Sequence, residues 1–175
     1  MEPYPMRKLL SALCAALLAA AVAPQLVAQA ASAEANKAVV RRAFTAFDQG
    51  DIATLNELFD PDGPWHTPTG KTIRQGGPFT DLAASCPMCA ALEQRKIVID
   101  VLVAEGDLVS VRSTWTGLYT GTVHGVPVRR KPVAVVYFNI YRVSGGRIRE
   151  NWAMSDRLSF AEQLGFQLTP PSSPQ

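Results

Sequence analysis

Four β-branched runs in the second half of the chain, separated by glycine-containing turns, constrain the fold more than any other feature. Ile97 to Glu105 is followed by the turn pair Gly106-Asp107 and then by Leu108 to Leu118. Pro132 to Arg142 is a third run, rich in Val, Tyr and Phe, and Ser144-Gly145-Gly146 turns it into Arg147 to Ser155. Such hairpins need a layer over one face, and the preceding residues supply it. Val39, Val40, Ala43, Phe44 and Phe47 fall on one side of a helix over 35–49, with Arg41, Arg42 and Asp48 turned away. Gly50 can end that helix in a left-handed conformation, and Asp51 can cap a second one striped by Ile52, Leu55, Leu58 and Phe59. Asp60-Pro61-Asp62-Gly63-Pro64 stops it. A short third helix is expected from Phe79 to about Ala84, and a closing one after Asp156 with Leu158, Phe160, Ala161 and Leu164. Helices followed by antiparallel hairpins indicate an α+β layer fold, and the Pro- and Ser-rich residues 169–175 read as a disordered tail.

The first 33 residues read as a secretory signal. Arg7 and Lys8 precede an apolar, alanine-rich run from Leu9 to Ala23, and small residues follow at Ala28-Gln29-Ala30 and Ala31-Ser32-Ala33. The run falls short of the roughly 20 residues a bilayer span requires. Leu13 before Cys14 disfavours a lipoprotein anchor. Export by cleavage, with no stable membrane anchor afterwards, is therefore the expectation. The exported part then spans residues 34–168 as one domain, followed by the tail. Of 17 Lys and Arg and 15 Asp and Glu, removal of residues 1–33 takes Arg7, Lys8 and Glu2, leaving a near-neutral protein. That balance is no footprint for nucleic acid. The one basic cluster, Arg129-Arg130-Lys131, reads as a solvated loop.

Cys86 and Cys89 are the cysteines outside the signal. In an exported protein they are expected to close a small disulfide loop. A redox pair or two free thiols are the alternatives, although nothing before them reads as a thioredoxin-like βαβ unit. A single C-x-x-C beside only two histidines is poor evidence for a metal site, so none is expected, nor is a cofactor.

Several stretches, taken in order, resemble the SnoaL-like polyketide and ester cyclases of the nuclear transport factor two-like superfamily. They are Phe47-Asp48-Gln49-Gly50-Asp51, Phe59-Asp60-Pro61-Asp62 with His66-Thr67-Pro68, and Thr116-Gly117-Leu118-Tyr119-Thr120-Gly121 with Gly125-Val126-Pro127. The most specific runs from Tyr141-Arg142-Val143 through Gly146-Arg147-Ile148-Arg149-Glu150-Asn151-Trp152 to Asp156 and Gln163-Leu164-Gly165. The resemblance implies a cone, a curved antiparallel sheet wrapped over the N-terminal helices with a pocket between them. It also implies an acid/base carboxylate at the end of the last strand, where Asp156 stands.

Fold alone does not settle activity on this scaffold. Alternation puts Glu150, Trp152, Met154 and Asp156 on one side of the terminal strand. If that side faces the pocket, Trp152 and Met154 surround an acid whose pKa rises by desolvation. Asp156 is otherwise the N-cap of the closing helix. His66 is either a second proton-handling group or a rim histidine. Trp115 is a candidate aromatic wall, as is Trp152, with core packing the alternative for both. Tyr119 and His124, in one hairpin, complete the ligand-binding set, although His124 also suits an exposed turn. Arg112 reads as a residue of the exposed sheet face. Thr67 stands where related steroid isomerases carry their base, and Phe44 and Phe47 stand where those enzymes use a tyrosine. Thr114 breaks the acid–arginine–acid arrangement of related epoxide hydrolases. The expected function is a cyclase- or isomerase-like reaction on a small hydrophobic carbonyl compound. The alternatives are a non-catalytic carrier of a hydrophobic molecule and a homodimeric module with a vestigial pocket.

Overall fold

The hairpins form where the turns place them. The protein, described here from a computed structural model, is defined over residues 5–74, 78–81, 83, 86–167 and 169. Strands β3 (Leu92–Glu105), β4 (Leu108–Val123), β5 (Val126–Ser144) and β6 (Arg147–Ser155) pair successively antiparallel. β1 (Pro64–His66) lies parallel to β6, and β2 (Thr72–Arg74) pairs antiparallel with β1. The result is one six-stranded sheet in the order β2-β1-β6-β5-β4-β3, curved by register shifts in three of its pairings and not closed on itself. The parallel contact, Trp65 opposite Asn151 and His66 opposite Trp152, adds to the antiparallel sheet that the turns imply.

β4 and β5 are longer than the sequence suggests. Gly117 does not end β4, because a Cβ there would lie 2.8 Å from the Glu93 carbonyl oxygen. Its glycine permits a close strand approach instead. The hairpin turns at His124 (φ 48°) and Gly125 (φ 80°), both left-handed as a tight hairpin turn requires. Arg129, Arg130 and Lys131 therefore belong to β5 and not to a loop. Arg130 pairs there with Glu93, and its backbone N–H donates to Thr120 Oγ1.

The helices cover the inner sheet face. α1 runs from Pro5 to Gln49, across the boundary expected at residue 33, and buries Val40, Ala43, Phe44 and Phe47. α2 (Ile52–Leu58) begins at Asp51, whose Oδ1 accepts from Thr54 N–H at 3.0 Å. Its Leu55 and Leu58 meet Val109, Val111, Val143 and Ile148 from the sheet in one core. Phe59 sits among Phe47, Trp65, Phe79 and Tyr141, with ring centroids 5.5–6.4 Å apart. Arg95 joins three elements by donating to the carbonyls of Phe47, Asp48 and Cys89.

The third helix expected at 79–84 is not seen at Phe79. That residue has non-helical backbone, and Asn56 binds both its N–H (2.7 Å) and its carbonyl (3.0 Å). Leu82, Ala84 and Ser85 lie outside the described residues, as does most of the 169–175 tail. Ala83 is helical, and a short α3 (Pro87–Ala91) follows, with Cys86 and Cys89 joined as a disulfide. α4 (Arg157–Gln163) closes the domain. Among the described residues no helix is long and apolar enough to cross a membrane.

Candidate functional site

A cavity of about 480 Å³ opens between α3, α4 and the adjoining parts of β4, β5 and β6. Met88, Ala91, Val135, Phe160 and Ala161 are among its apolar walls. Its polar lining is Tyr119, Thr122, His124, Tyr137, Ser155 and Arg157, and among the described residues no carboxylate lines it. Tyr137 packs on Trp115 at 4.9 Å and stands opposite Ser155 in the β5–β6 register. Burial raises its phenol to about 12, with the Arg157 charge pulling the other way. Tyr119 meets the edge of Phe160 at 5.1 Å, which ties the strand wall to α4. Tyr119 and His124 line this cavity, and His124 is also exposed at its hairpin turn.

The five other candidate residues fall elsewhere. Glu150, Trp152 and Met154 do share a face, but it is the outer one. A bulge at Arg149, where Arg142 pairs with Glu150 while Val143 pairs with Ile148, reverses the alternation. Asn151, Ala153 and Ser155 consequently point inward, and Met154 is 56% exposed. Trp152 and Met154 therefore do not line the cavity. Asp156 is exposed, and its Oδ1 accepts from Ser159 N–H at 2.9 Å as the N-cap of α4. Its neighbours Ser155 and Arg157 reach the cavity in its place. Trp115 is buried behind Tyr137, its Nε1–H donating to Ser113 Oγ at 3.1 Å, so it supports the wall without lining it.

His66 lies outside as well, because β1 sets it beside Trp152 on β6. The imidazole stacks on that indole at 5.0 Å, and the Arg142 guanidinium stands 5.7 Å from the same ring. Nδ1 is 2.9 Å from Thr72 Oγ1 and Nε2 is 2.7 Å from Glu150 Oε1. Arg142 donates to Glu150 Oε2 at 3.0 Å and to Asp107 Oδ2 at 2.7 Å. Burial pushes the Glu150 carboxyl upward, but the hydrogen bonds from His66 and Arg142 outweigh it and hold the pKa below 4.5. Asp60 is lowered too, chiefly by its hydrogen bond from Arg149. A depressed carboxyl pKa contributes stability above the unfolded value, lost as pH falls through the folded one. The urea midpoint is therefore expected to fall below about pH 4.5, and Glu150→Gln should flatten that fall. An equally steep fall in the variant would show that Glu150 is not the group responsible.

Tyr137, Ser155, Arg157 and Met88 are cavity residues that the sequence reading did not single out. Tyr137 shares its inner parity with Val133 and Val135, a signal present in the strand pattern. Ser155 depends on the bulge, and Arg157 and Met88 depend on how short helices dock. Deeper in the sheet, Asn139 Nδ2–H donates to Asn151 Oδ1 at 3.1 Å, a buried pair that satisfies both amides in part. No group of three or more His, Cys, Asp or Glu side chains is poised for a metal among the described residues.

Solved structures share this architecture. Wild-type IdmH of Streptomyces antibioticus, assigned as a polyketide cyclase, is 29% identical over 75% of this chain and 99% of its own, with a TM-score of 0.60. A SnoaL-like protein of Jannaschia sp. CCS1 is 19% identical over 79% of this chain and 95% of its own, with a TM-score of 0.62. An LEH-like epoxide hydrolase of M. tuberculosis is 14% identical over 76% and 91%, with a TM-score of 0.54. The last two are similar in fold alone. No curated protein matches the chain in sequence. The model of the SnoaL-like polyketide cyclases matches residues 37–164, which takes in every element from the C-terminal part of α1 to α4. The chain belongs to the SnoaL-like polyketide cyclase family.

Proposed function

We propose that the inner cavity binds a small hydrophobic carbonyl compound and that the chain catalyses a cyclase- or isomerase-type proton transfer on it. The observation that carries this reading is a protonated phenol, Tyr137, in an otherwise largely apolar cavity. A phenol held neutral can donate a hydrogen bond to a carbonyl oxygen and stabilise negative charge as it develops there. His124 is the lining group able to accept a proton, and Tyr119 and Phe160 offer aromatic surface to the substrate. Asp156 holds Ser155 and Arg157 in place as a helix cap and takes no part in the proton transfer. Calorimetric titration with apolar ketones and lactones tests the reading. The native protein should bind members of the series and Tyr137→Phe should bind them more weakly. Absence of binding across the series would remove the cavity as the site.

The outer face supports a homodimer as partner state. Phe138 and Ile140 on β5, Met154 on β6 and Val101 and Val103 on β3 are each 42–56% exposed on one side of the sheet. The β5 and β6 residues are neighbours, whereas those of β3 lie across β4, whose Ser110 and Arg112 stand between them. Exposed apolar surface of this kind marks an interaction face. A second copy stacked sheet to sheet would cover it. Sedimentation equilibrium should give twice the chain mass, reduced to one by Phe138→Asp, and a native monomer would discard this partner.

Export belongs to the same proposal. It is supported by Arg7 and Lys8 before the apolar run and by the Cys86–Cys89 disulfide. N-terminal sequencing of the protein recovered outside the cytoplasm should begin near Glu34, and retention of Met1 would contradict cleavage.

A further inference from the structure

We infer that the ligand of the inner cavity is an anion, an apolar molecule bearing one carboxylate seated against Arg157. The inference rests on the proposed reading that this cavity is the ligand site, and it adds the charge and the anchoring residue. The cavity holds a guanidinium, an imidazole, two phenols and two hydroxyls, and among the described residues no Asp or Glu lines it. Its electrostatic balance is therefore positive, in a protein whose overall charge is close to neutral.

Arg157 is not committed elsewhere. Arg112, Arg130, Arg142 and Arg149 each pair with a carboxylate, and Arg95 and Arg147 donate to backbone carbonyls. Arg157 makes no ion pair or hydrogen bond of this kind among the described residues. The adjacent carboxylate, Asp156, is occupied by Ser159 N–H. A guanidinium presents its donors as a planar fork that matches a carboxylate, and Ser155 and Tyr137 stand on the same part of the lining as further donors. One guanidinium suits a monoanion better than a phosphate dianion. Met88, Val135 and Phe160 leave the remainder of the ligand in apolar surroundings.

Binding of straight-chain and aryl monocarboxylates, each measured beside its own methyl ester, separates this inference from its parent. Calorimetry on the full chain should show the acid binding about tenfold to a hundredfold more tightly than the ester. Arg157→Gln should bring the acid down to the affinity of the ester and leave the ester unchanged. Arg157 is exposed, so the substitution is not expected to disturb folding, which thermal unfolding by circular dichroism verifies. Equal affinity of acid and ester in the native protein overturns the anionic ligand while the cavity reading stands. An acid preference that survives in Arg157→Gln overturns the assignment of the anchor. Failure of acids and esters alike takes down both readings together.

Discussion

Phe59→Ala is expected to destabilise the domain by about 3–5 kcal/mol, the range for truncating a buried aromatic. Phe59 is 2% exposed and its ring touches Phe47, Trp65, Phe79 and Tyr141, which come from four different segments. Its backbone is held as firmly. The N–H donates to Leu55 O at 2.9 Å, and the carbonyl accepts from Arg147 at 2.6 Å. With the main chain fixed at both groups, the neighbours have little freedom to collapse into the space left by the ring. The cost should therefore combine lost burial with a residual cavity. Typical domains have about 5–15 kcal/mol in total, so one such substitution would remove a large share. Urea unfolding read by far-ultraviolet circular dichroism measures the loss, with Leu158→Ala, half-exposed on α4, as a control expected to change little. A loss below about 1 kcal/mol would mean that the ring cluster is not packed as described.

Tyr137→Phe should lower turnover about a hundredfold to a thousandfold for a carbonyl substrate that the native protein converts, the usual cost of deleting one oxyanion donor. The substitution retains the ring against Trp115, so packing is preserved and only the hydroxyl is lost. The hydroxyl is suited to donation because a phenol is protonated at neutral pH and the cavity places this one against a largely apolar wall. A donor that already holds the substrate oxygen in the ground state and strengthens as charge develops there should, when lost, raise KM and lower kcat together. Tyr119→Phe, in the same cavity, serves as a comparison. Unchanged turnover in Tyr137→Phe would exclude its hydroxyl as the donor. Equal losses in the two variants would point to general disturbance of the cavity.

Much of the fold was legible because its determinants are local. Asp51 caps α2 through a hydrogen bond to a residue three positions away, and the Gly106 and Gly145-Gly146 turns lie where the β-branched runs stop. That Val109, Val111, Ser113 and Trp115 share one face of β4 follows from alternation. Family membership was legible for the same reason, as motifs in order along the chain.

The site was only partly legible. Tyr119 and His124 line the cavity from one hairpin, whereas Trp152 and Met154 were displaced to the outer face by one extra residue at Arg149. Asp156 had two local readings, and the structure realises the cap. His66 meets Glu150 across 84 residues only because β1 settles alongside β6.

The sequence by itself determined the two helices that meet at Gly50-Asp51, the closing helix, the hairpin order, the family and which residues alternate together. The tertiary structure decided which alternating set faces the core, what His66 touches, and that α3 and α4 enclose a cavity carrying Tyr137, Ser155 and Arg157. Periodicity is set by neighbours a few residues apart, whereas a bulge, a strand partner and a docked helix are set by packing between distant segments.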